Sequence, residues 1–180
     1  MELVGLKGTR ARLVPADKTL HLENAIRWMN DPEVTRYLNL NIGVSRGMEE
    51  EWLERMQKRE NDFVWAILDD HDQHIGFSGI HQIHWRYRTA RTGTVIGEKS
   101  AWGHGFGSDA MAIRTRFAFE TLGLHRLESE ANSANIASQR ALEKTGYKRE
   151  GLARKSIYAE GSWHDKVLYG FLEEDYFASR

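Results

Sequence analysis

The chain has 180 residues, long enough for one domain with a sizeable core. Its 25 basic and 26 acidic side chains leave a net charge of -1, which argues against a global nucleic-acid-binding field, and the lack of cysteine excludes disulfides, a thiolate nucleophile and cysteine-ligated zinc. Met1 to Arg12 carries no signal-peptide pattern and no run reaches the ~18–20 apolar residues of a membrane span, so the expectation is a soluble, cytoplasmic, single domain over residues 1–180.

Arg10 to Val14 alternates weakly and predicts a first strand. Thr19 to Tyr37 has helical spacing, with Leu22, Ile26 and Met29 on one face and a restart at Asp31-Pro32. Met48 to Lys58 reads as a helix with Trp52 and Met56 on one side and a charged outer face. Phe63 to Leu68 reads as a strand, Asp69 to Asp72 as a turn and Ile75 to Trp85 as a second strand, with Ile75, Phe77, Ile83 and Trp85 on one parity. Thr92 to Gly97 is a third. Ser108 to Leu122 forms an amphipathic helix in which Ala110, Ile113, Phe117 and Ala118 share a face while Arg114 and Arg116 lie off it. Gly123 suits its left-handed cap. Arg126 to Ala131 reads as a strand. Asn135 caps a helix that runs to Lys144 and stops at Gly146. Two strands, Tyr147 to Tyr158 and Trp163 to Leu172, flank the turn at Glu160 to Ser162. The order predicts an α/β (α+β) domain on a mixed sheet.

Between the third strand and the amphipathic helix lies Trp102-Gly103-His104-Gly105-Phe106-Gly107-Ser108. Alternating glycines before a helix N-terminus expose backbone N–H groups to a phosphate. A Walker A loop needs a lysine after the last glycine, and Ser108-Asp109 stands there instead. A dinucleotide fingerprint matches Gly105 to Ala110 in letters, but residues 98–101 separate the strand end from the loop and no βαβ repeat follows.

The loop and its preceding strand resemble motif A of the Gcn5-related N-acetyltransferase (GNAT) superfamily, Q/R-x-x-G-x-G/A. Trp102 stands in place of Gln or Arg, as in the branch of ribosomal-protein-alanine and -serine N-acetyltransferases and spermidine acetyltransferases. Asn132 to Ser138, Glu143 to Tyr147, Glu150-Gly151, Gly161 with Asp165, and Trp28 to Tyr37 resemble further segments of that branch, in order. The resemblance implies a mostly antiparallel central sheet of about seven strands, splayed between the fourth and fifth, with about four flanking helices. It implies acetyl-CoA as co-substrate. Its pyrophosphate would sit on the amides of Trp102, Gly103, His104, Gly105, Phe106, Gly107 and Ser108, and its arm on the backbone of Val95, Ile96 and Gly97. Asn132, Asn135 and Ser138 would also face it.

An amine that attacks the thioester directly needs no cysteine. It must first lose a proton, since a primary amine has a pKa near ~10. The candidate bases are Glu98, Glu128, Glu130, His81 and His84, with Glu98 favoured because it follows the splayed strand. His81 and His84, three apart on a strand, point to opposite faces and hold no metal together. The tyrosine that many relatives place in motif B is Leu142 here. Ser138, on the first turn of its helix, is the candidate for protonating or hydrogen-bonding the leaving thiolate. The acceptor cleft would be walled by Trp28, Asp31, Tyr37 and Tyr158, with Glu33, Glu160 and Asp165 available to a cation. A protein or peptide N-terminal amine is the favoured acceptor. A polyamine, amino sugar or aminoglycoside is the alternative, and an acyl-CoA sensor without turnover is the rival class. A homodimer is compatible with these segments, and the cluster Arg86, Arg88, Arg91 lacks the interleaved stacking of an RNA surface.

Overall fold

A computed structural model describes residues 5–38, 43–58 and 60–179. In chain order the elements are β1 (Leu6–Lys7), β2 (Arg12–Pro15), α1 (Lys18–Met29), α2 (Pro32–Thr35), α3 (Arg46–Gln57), β3 (Phe63–Leu68), β4 (His74–His84), β5 (Thr89–Ile96), α4 (Phe106–Arg116), β6 (Arg126–Asn132), α5 (Ile136–Lys144), β7 (Lys148–Ala159), β8 (Ser162–Leu172) and α6 (Glu173–Ala178). Four helices begin on a side-chain cap that satisfies an orphan N–H: Asp17 for Leu20, Asp31 for Glu33, Ser45 for Met48 and Asn135 for Ser138. Helix α4 begins on Gly105 with no side-chain cap, and its C-terminus passes into a π-helical turn, Phe117–Thr121, before Gly123 at φ +62°. Gly146 ends α5 at φ +103°, and a Cβ there would stand 2.5 Å from the Phe171 ring, so both backbone angle and packing require glycine.

The strands form one sheet in the order β1-β2-β3-β4-β5-β6-β8-β7. Every neighbouring pair is antiparallel except β5 and β6, which run parallel. That pair is joined only at Thr89–Arg126, Ala90–Leu127 and Arg91–Glu128, after which the strands part. This is the expected splay between the fourth and fifth predicted strands. The sheet has one strand more than expected because β1 is two residues long, too short to show alternation. Helix α6 follows β8 without a break in the chain and was not anticipated.

Two cores sandwich the sheet. On one face α4 and its neighbours bury Ile75, Ile80, Ile113, Leu127, Leu142 and Tyr147. On the other, α1 and α3 bury Leu22, Trp28, Leu53, Ala66 and Phe77. Ile75 and Phe77 therefore face opposite ways, although strict alternation would align them. A register shift opposite Ile67 and Leu68 flips the strand there. Trp85 lies beyond the strand end, 46% exposed. Two charged side chains expected on outer faces are buried instead: Arg114 at 0% exposure and Glu49 at 7%. Each occupies an interior helical register, Arg114 four residues after Ala110, and Glu49 three and four before Trp52 and Leu53.

In the second core His74 packs against Trp28 and Phe77, with ring centroids 4.7 and 4.8 Å away, and bonds Asn24 and the Gly76 carbonyl. Burial, with His21 and Arg27 nearby, lowers its pKa from 6.5 to about 3. The unfolded chain takes up this proton near pH 6.5 and the folded chain does not until about 3, so stability falls as pH drops through that window. The slope is up to about 1.4 kcal/mol per pH unit for one proton. Urea unfolding between pH 7 and 5 should show this loss, and His74→Gln, which keeps polar partners but cannot titrate, should make it shallower, with buried His21 supplying the remainder. Parallel slopes in the two proteins would refute the assignment.

Candidate active site

The glycine loop leaves the parted strand and enters α4. Gly103 and Gly105 both have left-handed φ, +79° and +86°. The first bond within α4 runs from the Asp109 N–H to the Gly105 carbonyl (3.1 Å). The Phe106, Gly107 and Ser108 N–H groups therefore lie ahead of the helical ladder without helical acceptors, at the positive end of the dipole. Asp109 does not compete for this place. Its carboxylate turns back to accept the N–H groups of Thr9, Arg10 and Ala11 at 3.2, 2.8 and 2.8 Å. Trp102 contributes a bond of its own: its indole N–H donates to the Ile96 carbonyl (2.8 Å) and holds the loop against the end of β5. His104 is exposed. Of the splayed-strand residues, Val95 packs toward the α1 side and Ile96 toward the α4 side. Gly97 matters for its missing side chain as well as for its backbone, because a Cβ would lie 2.0 Å from the Trp28 ring.

Where the strands part, side chains replace the ladder. Thr92 Oγ1 donates to the Glu128 carbonyl (3.1 Å), and Ser129 Oγ donates to the Thr92 carbonyl (3.2 Å). Arg114 reaches up from α4 to the Gly93 carbonyl and Thr94 Oγ1, both at 2.6 Å, and to Ser78 Oγ at 3.2 Å. Its other terminal nitrogen approaches the Tyr147 hydroxyl (3.5 Å), which also bonds Thr92 Oγ1 (3.0 Å). Tyr147 is thus a core residue with a polar tip.

At the far lip of the gap, Asn132 ends β6. It is 3% exposed, and its Oδ1 accepts the Ala134 N–H (2.9 Å), while its Nδ2 has no partner among the described residues. A buried amide donor left open at the mouth of a split sheet fits a ligand that brings a carbonyl or phosphoryl oxygen. Asn135 spends its side chain on the Ser138 N–H (3.1 Å). Ser138 itself is half-buried on the first turn of α5. Leu142 is buried beneath it in the core.

On the opposite face the expected acceptor residues separate. Trp28, 2% exposed, belongs to the core and does not line a cleft. Asp31 caps α2 and pairs with Lys99 (2.9 Å), which also holds Glu33. Tyr37 and Tyr158 both line a groove of about 590 Å³ between α2 and the β7–β8 hairpin. Arg36 bridges its rim to Glu160 (2.9 Å), and Asp165 accepts the Lys155 N–H (2.8 Å). The candidate bases are engaged as well. Glu98 pairs with Arg27 (2.9 Å) and accepts from Ser100, Glu128 pairs with Arg126 (3.0 Å), and Glu130 pairs with Lys166 (2.8 Å). His84 stacks on Tyr87, whereas His81 bonds Asp62 through Nδ1 (3.1 Å) and lays its ring over Gly79. A second cleft of about 610 Å³ adjoins the groove and opens above Gly79, Gly93 and Val95, with Glu49 in its wall.

The profile of the acetyltransferase (GNAT) domain family matches residues 10–148. A Bacillus subtilis protein named Probable N-acetyltransferase YjcK is 32% identical over 126 residues, 69% of either chain. The ribosomal protein uS5 alanine N-acetyltransferase of Escherichia coli K12 is 24% identical over 133 residues, 71% of this chain and 66% of its own. Among solved structures, a spermidine N-acetyltransferase from Vibrio cholerae in complex with CoA and spermine aligns with a TM-score of 0.86 at 18% identity, covering 93% of this chain and 98% of that one. A GNAT-family acetyltransferase from Bacillus anthracis aligns at 0.82 and 20% identity, covering 95% and 99%. At such identities the structural likeness concerns the fold. The family match, by contrast, runs through the parting strands, the glycine loop and the whole of α5, and on it the chain belongs to the GNAT family of acetyltransferases.

Proposed function

We propose that this acetyltransferase moves the acetyl group of acetyl-CoA directly to a primary amine, with a protein or peptide N-terminal amine as its acceptor. The observation that carries the donor half is the coincidence, at one gap in the sheet, of an uncapped helix N-terminus and the partnerless Nδ2 of buried Asn132. The pyrophosphate would take the Phe106, Gly107 and Ser108 amides, and the pantetheine arm would run along β5 where the ladder has stopped. The neutral amine nitrogen attacks the thioester carbonyl, the C–N bond forms, the C–S bond breaks, and the proton that the nitrogen gives up ends on the departing sulfur, which leaves as the CoA thiol. Backbone N–H groups of the open strand edge suit the developing oxyanion. Ser138 Oγ, on the first turn of α5, suits the departing sulfur.

The acceptor half rests on charge. A polyamine or aminoglycoside presents several cations and calls for several unpaired carboxylates. Asp31, Glu33 and Glu160 are neutralised by Lys99 and Arg36, and Asp165 is spent on backbone. The relative that acetylates a ribosomal protein points the same way.

Gly107 separates the donor assignment from backbone strain. Its φ is not left-handed, and a Cβ there would make only an ordinary 3.5 Å contact with Ile96. Gly107→Ala should therefore keep acetyl-CoA affinity within about threefold, while Gly107→Glu, bringing bulk and negative charge to the seat, should weaken it by about 100-fold or more in calorimetry. Equal affinities in the two variants would remove the pyrophosphate from this loop. Ser138→Ala should lower kcat about tenfold or more with acetyl-CoA Kd nearly constant, measured by thiol release. Unchanged turnover would return Ser138 to a helical role. Tight acetyl-CoA binding with no CoA release across a panel of amines would mark a sensor instead of an enzyme.

A further inference from the structure

The cleft between α1, α3 and the sheet has an unusual composition. Its walls include Trp52, Phe77 and Val95, and its floor is the cross-strand pair Gly79–Gly93. A Cβ added to Gly93 would meet nothing within 4 Å, so that half of the floor stays open, while the His81 ring lies over the Gly79 half. Into this apolar space faces one carboxylate. Glu49 is 7% exposed, and among the described residues no hydrogen bond or ion pair reaches its side chain. The other acids near the acceptor side are held by Lys99, Arg36 or backbone, as described above.

An unpaired carboxylate on a side chain this far withdrawn from solvent, with only a little of its oxygens left open, is costly to a folded chain. Glu49 also occupies the i position of an i, i+3, i+4, i+7 stripe completed by Trp52, Leu53 and Met56, where an apolar side chain would serve stability better. Burial alone raises its pKa. A cation supplied from outside removes the cost, and the low polarity of the walls strengthens that pairing. The Trp52 and Phe77 rings, 5.8 Å apart, add aromatic surface beside it. The cleft also borders Val95, on the strand assigned to the thioester arm.

We infer that Glu49 is the residue that receives the acceptor's ammonium group, and that the acceptor is a monoamine whose charged end is followed by an apolar or aromatic body. This rests on the acetyl-transfer reading above and narrows it. One carboxylate matches one charge. A second or third ammonium of a polyamine would be left against Trp52, Phe77 or Val95 with no counter-ion, at a large desolvation cost. An N-terminal residue with a large apolar side chain satisfies the same description.

Calorimetric titration of 2-phenylethylamine and of spermidine into the full chain at pH 7 tests this without requiring turnover. Phenylethylamine should bind more tightly than spermidine. Glu49→Gln, nearly isosteric, should weaken phenylethylamine about tenfold or more while acetyl-CoA affinity stays within twofold and the melting temperature stays level or rises. A carboxylate with a merely structural role would instead lower the melting temperature and leave amine binding alone. Gly93→Val, a substitution that β5 tolerates in backbone terms, should fill the floor and abolish amine binding; it serves as the second test if Glu49→Gln does not fold. No binding of phenylethylamine at millimolar concentration, equal affinity in wild type and Glu49→Gln, tighter binding of spermidine, or undiminished binding in Gly93→Val would each overturn the inference. A chain that binds the amine through Glu49 yet releases no CoA fails the transfer reading and leaves this one standing.

Discussion

A sheet that parts in its middle has to satisfy the strand edge it opens, and in this protein Arg114 does much of that from beneath. Its guanidinium holds Gly93, Thr94 and Ser78 on one side of the gap and approaches Tyr147 on the other. A cation at 0% exposure with only neutral acceptors is an expensive choice. Its bonds to charge-stabilising oxygens, together with those of Thr92 and Ser129, keep the two strands at a defined separation where ladder bonds no longer can. The placement of α4 follows from it, because the helix that carries Arg114 also carries the donor amides at its start. Loop, gap and helix are one mechanical unit.

The sheet separates the two proposed halves of the reaction. The helix N-terminus belongs to the face packed by α4 and α5, and the apolar cleft belongs to the face packed by α1 and α3. Only at the parted strands can something bound on one face touch something bound on the other. With no cysteine, this chain offers no thiolate on which the acyl group could rest as an enzyme thioester.

The parts of this arrangement that were legible in sequence are those with local chemistry. The glycine loop, the Asn135 cap and the stops at Gly123 and Gly146 each announce a backbone requirement within a few residues. The parts that were not legible are those in which a tertiary contact overrides a local preference. Arg114 and Glu49 look like surface charges by residue type; only their register on the apolar stripes of α4 and α3 marked them as interior, and that signal was present in the spacing. The opposite orientations of Ile75 and Phe77 come from a register shift set by the neighbouring strand, which alternation within β4 cannot show. Trp28 has the residue type of a binding-site wall, and its burial under Gly97 depends on how closely α1 approaches the end of β5.

Asp109 adds a matter of timing. The residues it clasps, Thr9 to Ala11, precede it by 98 to 100 positions, a long closure whose entropic cost grows only slowly with length. In a chain made from its N-terminus, those three amides already exist when α4 emerges. The glycine loop, the Ile96 carbonyl that holds Trp102 and the Asp109 clasp all lie at or before Arg116, whereas Asn132, Ser138 and the β7–β8 hairpin follow it. Synthesis thus delivers the parts of the proposed donor seat well before the parts that complete the gap.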